Sequence, residues 1–298
     1  GMLNDFFINN LQGNGGPSVF GRRLFDEFVR TGLTFSSKSE NRLSIISGEY
    51  LNGAKNVLRL DGLYFDRNHP ENIKIFDSYE EFDHIVFQGK FCKDQYEAFT
   101  EIKKKNTVIL NGVPDAFFKK CDKLIPKEKP RVIASASWRR HKRLEEIIKA
   151  FKLKKLRDIE LWVLGGEYFK EQVPENIKLI KTVNPSSLPS IYQSCDAMIH
   201  LAWLDWCPNT VVEALASGLP ILCSHNGGTK DIVQDNGVVI ELEDDYIIGQ
   251  ELDLYSPPEV DVEIIADGVF KLLEMPTTPN REDLKISNVA LKYKTIFS

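Results

Sequence analysis

Apolar segments of strand length alternate with helix-like patterns along most of this chain, and that alternation restricts its fold more than any other feature. Ten segments of five to eight residues have strand character, among them 131–137, 159–166 and 220–224. Most are apolar on both faces, as strands of a parallel sheet covered by helices are. Amphipathic patterns such as 144–153 lie between them. The alternation predicts a doubly wound α/β architecture made of two Rossmann-like halves.

A charged segment without periodicity, 119–131, interrupts this alternation near the middle of the chain. Its sequence, KKCDKLIPKEKPR, contains two prolines and is typical of a linker. The segment therefore predicts an N-terminal domain of residues 1–125 and a C-terminal domain of residues 126–282, each of ordinary domain size.

The bulk composition excludes several classes of protein. The net charge of −5 and the pI near 5.7 argue against nucleic acid as a partner, because binding to phosphates needs a basic surface. Five cysteines without a CxxC pair fit a reducing compartment and exclude a compact zinc ribbon. The sequence shows no apolar stretch of about 20 residues and no signal-peptide pattern, so the expected location is the cytoplasm.

A cluster of glycines, QGNGGPSVFG, precedes the first amphipathic helical pattern. Gly15 and Gly16 stand directly before Pro17, a residue suited to the first turn of a helix. Free backbone N–H groups at such a helix start can bind an anion. A tight turn without a ligand explains the same glycines, so their spacing alone leaves both interpretations open.

A basic segment, WRRHKR, follows the first strand of the predicted C-terminal domain. In an open α/β sheet, ligands bind beyond the carboxyl ends of the strands. Arg139, Arg140 and Lys142 are therefore candidates for binding a diphosphate, since arginine can bind phosphate through two N–H groups and lysine acts as a point charge. A solvated basic loop is the alternative interpretation.

Two acids accompany the start of a later helical pattern in the segment DWCPNTVVEALASGLP. Asn209 and Thr210 suit the beginning of that helix, where their side chains can satisfy free N–H groups. Glu213 can accept hydrogen bonds from the two hydroxyls of a ribose, and Asp205 in the preceding loop can reach a sugar hydroxyl. The alternatives are pairing with the helix dipole for Glu213 and a turn role for Asp205.

Together these segments resemble the retaining glycosyltransferases of family 4, which have the GT-B fold. The resemblance rests on an acid, seven residues and a glutamate (DWCPNTVVE), followed by ALASGLPILCSHNGG. Upstream, HIVFQGKFCKDQYEAF and VILNGVP look like the end of the family's N-terminal domain. The resemblance implies two Rossmann-like domains with mainly parallel sheets facing across a cleft. It also implies a C-terminal helix, 283–298, that crosses back to the N-terminal domain.

The resemblance assigns donor binding to the C-terminal domain. It implies that Glu213 holds the nucleotide ribose, and that Asp205, in place of the family's usual glutamate, contacts the donor sugar. Lys142 and an arginine match the basic pair that neutralises the donor diphosphate. Arg139 is the first match for that arginine and Arg140 the second.

Further groups complete the implied site. Gly15 and Gly16 match the family's Gly-Gly loop, which approaches the donor phosphates and the acceptor. Asn209 and Thr210 belong to the helix start that faces the diphosphate. Asp61 stands where the family often has an active-site histidine, and it can bind a sugar hydroxyl or orient the acceptor. A turn-forming Asp-Gly pair is the alternative for Asp61.

The implied activity is transfer of a sugar, with retention of anomeric configuration, from a nucleotide diphosphate donor to a hydroxyl acceptor. The acceptor would be a carbohydrate or a lipid-linked sugar, as in polysaccharide biosynthesis, and no metal or cofactor is expected. Two alternatives remain open: a GT-B nucleotide-sugar epimerase, and a non-catalytic sugar-nucleotide-binding subunit whose shortened N-terminal domain has lost acceptor chemistry. Peripheral contact with an anionic membrane surface, through lysines 103–105, is a further hypothesis, although lysines on a solvated helix usually have no partner.

Overall fold

The protein, described by a computed structural model over residues 3–276 and 280–298, divides into two compact units. Unit 1 comprises the residues through Pro114, Ile247–Leu252 and Glu282–Ser298, and unit 2 comprises Asp115–Tyr246 and Asp253–Arg281. The first division lies after Pro114, whereas the sequence placed it at residue 125. Segment 119–131, predicted as a linker, therefore belongs to unit 2.

Strands and helices alternate along the chain. The strands are β1 (Asp5–Ile8), β2 (Thr34–Phe35), β3 (Asn41–Ile45), β4 (Lys55–Leu60), β5 (His84–Phe87), β6 (Lys105–Val108), β7 (Arg131–Ser135), β8 (Glu160–Leu164), β9 (Ile177–Ile180), β10 (Ala197–His200), β11 (Ile221–Ser224) and β12 (Gly237–Ile240). The helices are α1 (Gly16–Arg30), α2 (Pro70–Ser78), α3 (Lys90–Phe99), α4 (Leu144–Phe151), α5 (Leu188–Gln193), α6 (Asn209–Ala216), α7 (Thr229–Val233), α8 (Val262–Leu273) and α9 (Ile286–Phe297).

Over the described ranges, each unit is built on one parallel sheet of six strands. The order is β2-β1-β3-β4-β5-β6 in unit 1 and β12-β11-β10-β7-β8-β9 in unit 2. The predicted α/β class is therefore confirmed. Sequence patterns did not predict β1, β2 or α2, which have four, two and nine residues.

The core of unit 1 includes the C-terminal helix. The apolar side chains of α9 recur at helical spacing, and its buried members include Val289, Ala290, Tyr293 and Phe297. The ring of Tyr293 lies 6.0 Å from that of Phe20 on α1. Nζ of Lys294 donates to the hydroxyl of Thr31, just past the end of α1, at 2.9 Å. Burial of this face attaches the end of the chain to unit 1.

The core of unit 2 lies between its sheet and helices α4 and α8. Strand residues of β7, β8 and β10 form one apolar cluster with Ile147 and Phe151 of α4 and with Val269 and Leu272 of α8. Burying a side chain of this kind contributes about 1.5–3 kcal/mol. The packing leaves the loops at the carboxyl ends of the strands free to carry polar residues. Over the described ranges, none of the helices combines the length and the hydrophobicity that a bilayer crossing requires.

Candidate functional site

The strand order of unit 2 creates a topological switch point between β7 and β10. The chain runs outward from β7 through β8 and β9, and then returns to β10 on the other side of β7. In open α/β sheets, ligands bind at the carboxyl ends of the strands at such a point. The two loops that leave this point are 136–143 and 201–208, which contain the basic segment and Asp205.

Lys142 and Asp205 meet at this switch point. Nζ of Lys142 lies 2.8 Å from Oδ2 of Asp205, and the side chains are 17% and 10% exposed. Lys142 ends a short 3₁₀ turn, Arg140–Lys142, which follows β7. The structure thus brings together two of the predicted site residues, and both side chains keep part of their exposure to solvent.

The carboxylate of Asp205 has further protein partners. Its Oδ2 also lies 3.1 Å from Nε2 of His200, the last residue of β10, and its Oδ1 accepts the backbone N–H of Trp206 at 2.8 Å. Burial alone would raise the pKa of Asp205, but the charge of Lys142 and the hydrogen bond from His200 outweigh it and hold the pKa well below its usual value. Asp205 is therefore ionised and engaged within the protein rather than freely presented to a sugar.

The turn after β11 packs closely against the Asp205 loop. Gly227 has φ +90°, and a Cβ atom built on it would lie 3.0 Å from both the Cα of Leu204 and the carbonyl oxygen of Asp205. The N–H of Gly228 donates to that carbonyl oxygen at 2.7 Å. Leu204 itself has a positive φ of 58°, which costs backbone energy for a residue with a side chain. These contacts hold the loop that presents Asp205.

His141 is a neutral neighbour of Lys142. Its side chain is buried, and its ring lies edge-on to the ring of Tyr255 at a centroid distance of 5.3 Å. Burial, reinforced by the charge of Lys142, lowers the pKa of His141 to about 4. His141 is therefore uncharged at neutral pH, and Lys142 and the arginines carry the positive charge of this loop.

The two candidate arginines differ in their partners. Nη1 of Arg140 lies 2.7 Å from Oε1 of Glu146 and 3.7 Å from Oε2 of Glu145. Arg139 is exposed, and no carboxylate lies within ion-pair distance of it in the described ranges. Arg139 is thus the arginine whose charge remains available to an anion.

Arg143, the last basic residue of the segment, is fully buried. It has a positive φ of 64° and ion-pairs with the buried Glu243 at 3.3 Å. Oε1 of Glu243 also accepts the hydroxyl of Ser224 at the end of β11 at 3.1 Å. This pair links the loops after β7 and β11, so Arg143 has a structural role.

Helix α6 begins differently from the sequence expectation. Pro208 is its N-cap, and this cap makes no side-chain hydrogen bond, so Asn209 and Thr210 are the first helical residues rather than capping ones. The expectation that their side chains satisfy free N–H groups remains a prediction. The first N–H groups of a helix have no intrahelical acceptor, and they begin directly beyond the Asp205 loop.

Glu213 lies one turn inside α6 and is buried. Its Oε1 accepts the hydroxyl of Tyr192 at 3.3 Å. Tyr192 belongs to α5, and its own ring is buried against that of Phe117. Tyr192 thereby fixes the orientation of the Glu213 carboxyl group within unit 2.

In unit 1, Gly15 and Gly16 begin α1. Gly15 is the N-cap, without a side-chain hydrogen bond, and Gly16 is the first helical residue. Nη1 of Arg22 donates to the carbonyl oxygens of Leu11 and Gly13 at 2.7 and 2.5 Å. The loop is therefore held by a cation from the helix that it precedes, and the exposed glycines leave the helix start accessible.

Asp61 has a partner that the sequence analysis did not consider. Nη1 of Arg59 lies 2.5 Å from its Oδ1, and the two side chains are 0% and 23% exposed. Nη2 of the same arginine donates to Oδ1 of Asn111 at 2.5 Å, and its guanidinium lies 4.3 Å from the ring centroid of Phe20. Asp61 is thus the counter-ion of a buried arginine, with part of its carboxylate facing solvent.

Sequence reasoning missed three side chains of these networks: His200, Tyr192 and Arg59. His200 lies within the apolar segment AMIHLA, a position that favours a structural role. Arg59 also interrupts an apolar strand, NVLRLD, and a charge at such a position is a signal of a buried ion pair. Tyr192 gave no usable signal, because its contact depends on the packing of α5 against α6.

Comparison with known protein families gives a match to the part of the chain that contains Lys142, Asp205 and Glu213. Residues 115–285, more than half of the chain, match the family described as Glycosyl transferases group 1. No curated protein sequence matches the chain.

Solved structures resemble the whole chain. Anabaena HepE, solved with UDP-glucose, is 12% identical, with a TM-score of 0.65 over 100% of this chain and 96% of its own. Sucrose-phosphate synthase from Thermosynechococcus elongatus is 10% identical, with a TM-score of 0.62 over 100% and 95%. A chain of the GtfA/B complex is 14% identical, with a TM-score of 0.60, and this protein covers 59% of its length. At these identities the likeness shows the fold: two Rossmann-like units of the GT-B class.

Proposed function

The chain belongs to the glycosyl transferases group 1 family, and from this membership we propose that it moves a sugar from a nucleoside diphosphate donor to a hydroxyl acceptor. Retention at the anomeric carbon and independence of metal are parts of the proposal. The observation that carries it is the ion pair of Lys142 and Asp205 at the switch point of unit 2, 2.8 Å between Nζ and Oδ2. This is the position at which an α/β sheet receives a phosphorylated ligand.

Lys142 and Arg139 are proposed to neutralise the diphosphate as it becomes the leaving group. Arg139 is favoured over Arg140, because Glu146 lies 2.7 Å from the latter. The N–H groups at the start of α6, at Asn209 and Thr210, add dipoles directed at the same charge. A fixed cation, a flexible one and a helix terminus can together stabilise two phosphates without a divalent ion.

Asp205 is proposed to position Lys142, rather than to contact the donor sugar as the family resemblance implied. Both of its oxygens already accept hydrogen bonds, from Lys142, His200 and the N–H of Trp206. Glu213 remains the proposed ribose ligand, with Tyr192 orienting its carboxylate. UDP-glucose, with which Anabaena HepE was solved, is the first nucleotide sugar to test.

Unit 1 is proposed to recognise the acceptor, a carbohydrate or a lipid-linked sugar. Asp61 is held by Arg59 through one oxygen while its side chain keeps 23% of its exposure. A carboxylate so fixed can accept a hydrogen bond from an acceptor hydroxyl. Gly15 and Gly16 form the exposed start of α1, and binding of a phosphate at this helix terminus is their proposed role.

A non-catalytic sugar-nucleotide-binding subunit is the second candidate. The observation that favours it is that Asp205 and Glu213 both have protein partners. The two functions differ in turnover: an enzyme transfers or slowly hydrolyses the donor sugar, whereas a binding subunit returns it intact. An epimerase would instead release an altered sugar from the same donor.

The test is titration of the protein with UDP-glucose and other nucleotide sugars in the presence of EDTA, followed by analysis of the sugar released or transferred. Lys142→Met should weaken nucleotide binding roughly tenfold to a hundredfold, since a hydrogen bond to a charged group contributes about 1.5–3 kcal/mol. Lys149→Met, at an exposed lysine on α4, is the matched control and should bind normally. Absence of binding to every nucleotide at millimolar concentration would remove the proposal.

A further inference from the structure

Residues 119–130, all but the last residue of the segment predicted as a linker, form a strap that is hydrogen-bonded to unit 2, and we call it the lysine strap. The N–H of Cys121 donates to Oε1 of Gln193 at 2.9 Å, and the amide of Gln193 donates back to the carbonyl oxygen of residue 119 at 2.7 Å. The N–H of Ile125 donates to the hydroxyl of Ser194 at 2.9 Å. These bonds give the strap a defined course along the end of α5.

The strap forms one wall of a cavity of about 920 Å³ in unit 2. Among the lining residues are Pro130, Asp196 and Pro220, which directly precede β7, β10 and β11. The cavity therefore lies at the amino ends of the parallel strands, at the edge of the sheet opposite to Lys142 and Asp205. Its volume is that of a site for a small molecule, for which about 300–1,000 Å³ is usual. The donor site proposed above does not account for it.

The lining combines apolar side chains with lysines. Its apolar members include Phe117, Phe118, Leu124, Leu219, Leu273 and Met275. Its lysines are Lys119, Lys120, Lys127 and Lys129, all of them on the strap. Such a lining fits a ligand that has an apolar body and a negatively charged head.

The charge of the strap is only partly neutralised. Its five lysines exceed its two acids, Asp122 and Glu128, by three, in a chain whose net charge is −5. Lys127 pairs with Asp196 at 3.2 Å and Lys129 is 3.9 Å from Asp158. Within the described ranges, no acidic side chain lies within 4.0 Å of the ammonium groups of residues 119 and 120, which are exposed. Lys119 and Lys120 therefore provide two positive charges at the cavity that an anionic ligand can neutralise.

Two adjacent apolar residues of the strap, one of which lines the cavity, are exposed beside these lysines. Leu124 and Ile125 are 49% and 47% exposed. Two other adjacent pairs of large apolar residues are exposed in the described ranges, 50–51 and 247–248. Glu49 precedes the first of these pairs, and acids at 244, 245 and 251 flank the second. Of these three pairs, only Leu124 and Ile125 belong to a segment that has an excess of lysines and lines the cavity described above.

We propose that this cavity is a second binding site, which takes a single-chain anionic amphiphile. The phosphate or carboxylate head would lie between Lys119 and Lys120, and the chain would enter the space lined by Leu124 and Leu219. Binding requires no turnover and no nucleotide, so the proposal is independent of the donor site.

The experiment is calorimetric titration with dodecyl phosphate, below its critical micelle concentration, and with octyl phosphate and inorganic phosphate. Saturable one-to-one binding is expected, and the dodecyl chain should bind more tightly than the octyl chain, by up to about fourfold for each methylene buried. Inorganic phosphate should bind far more weakly than either. Equal affinity for all three probes, or no binding, would overturn the proposal.

Replacement of lysines by glutamates tests where the anionic head of the ligand binds. Lys119→Glu/Lys120→Glu should weaken dodecyl phosphate binding at least tenfold, whereas Lys149→Glu/Lys154→Glu, at two exposed lysines of unit 2 outside the lining, should not. Leu124 is half exposed, so Leu124→Ser should not disturb folding. This variant should reduce the difference in affinity between the dodecyl and octyl phosphates. An unchanged far-UV circular dichroism spectrum and thermal unfolding midpoint verify that each variant is folded. Equal losses in both lysine pairs would contradict the assignment.

The source of the ligand is decided by sedimentation with vesicles that contain about one third anionic lipid. Saturable binding of monomeric dodecyl phosphate, lost in Lys119→Glu/Lys120→Glu, supports a cavity site whether or not vesicles also bind. Sedimentation with vesicles without any binding of the monomer would show a membrane-docking surface instead, and would overturn the cavity as a ligand site.

Discussion

Nζ of Lys142 and Oδ2 of Asp205 lie 2.8 Å apart, although the two residues are 63 positions apart in the chain. They meet because β7 and β10 are neighbours in the sheet and both residues follow the carboxyl ends of these strands. His200 donates to the same carboxylate from the end of β10. The lysine is therefore held in place before any ligand arrives, which reduces the entropy that ligand binding must cost.

Replacement of Asp205 by asparagine should destabilise unit 2. The change leaves Lys142 without its counter-charge, and because that lysine keeps 17% of its exposure we expect a loss of about 1–3 kcal/mol, below the 3–5 kcal/mol of a fully buried pair. Urea unfolding measures it, with Asp158→Asn at an exposed carboxylate as the control. The depressed pKa means that the stabilisation is present above about pH 4 and is lost as pH falls further. Asp205→Asn should lack this acid-side loss.

Arg139 and Arg140 form a natural pair for comparison. Arg139→Met should raise the dissociation constant of the nucleoside diphosphate about tenfold or more, because it removes a charged donor from the phosphates. Arg140→Met should leave binding unchanged and alter stability by less than about 1 kcal/mol, since it removes only a surface ion pair with Glu146. Isothermal titration decides between them. The opposite order would mean that Glu146 releases Arg140 when the ligand binds.

The buried His141 should make stability depend on pH in a defined window. Its folded pKa of about 4 lies below the unfolded value of about 6.5, so the unfolded state binds a proton first as pH falls. Stability should therefore decrease between pH 6.5 and 4, with a slope of up to about 1.4 kcal/mol per pH unit. Unfolding midpoints in urea at pH 7 and pH 5 measure it. His141→Gln should flatten the profile, and an equally steep profile in that variant would assign the effect to another group.

The pair of Arg59 and Asp61 calls for a double-mutant cycle. Asp61→Asn leaves a fully buried guanidinium without its counter-ion, and should cost about 3 kcal/mol, toward the lower end of the range for buried pairs. Arg59→Met/Asp61→Asn should recover part of that loss, because the buried charge is gone. Denaturation gives the coupling energy. Acceptor-dependent turnover, measured below the unfolding transition, separates a role in acceptor binding from the structural role.

The segments that determine the family could be found in the sequence because they are local. Glu213 and Asp205 belong to one stretch, and the strand, turn and helix around them follow from periodicity and from turn residues such as Gly218 and Gly227. Lys142 could be found in the same way, because it lies in a basic loop directly after a buried strand. Local spacing also left open which arginine stays available and which residues pair with Asp205.

The sequence by itself determined the α/β class, the order of most strands and helices, and the basic and acidic loops of unit 2. Those features depend on side-chain periods of two and 3.6 residues, which any short window displays. Only the tertiary structure decided that His200 and Lys142 share one carboxylate, that Arg59 lies buried beside Asp61, and that the lysine strap forms one wall of a cavity. Each of these contacts joins an element to a spatial neighbour selected by sheet order and packing. Burial then determines how strong these interactions are, because the energy of an ion pair and the pKa of a histidine both depend on how much water the surrounding fold excludes.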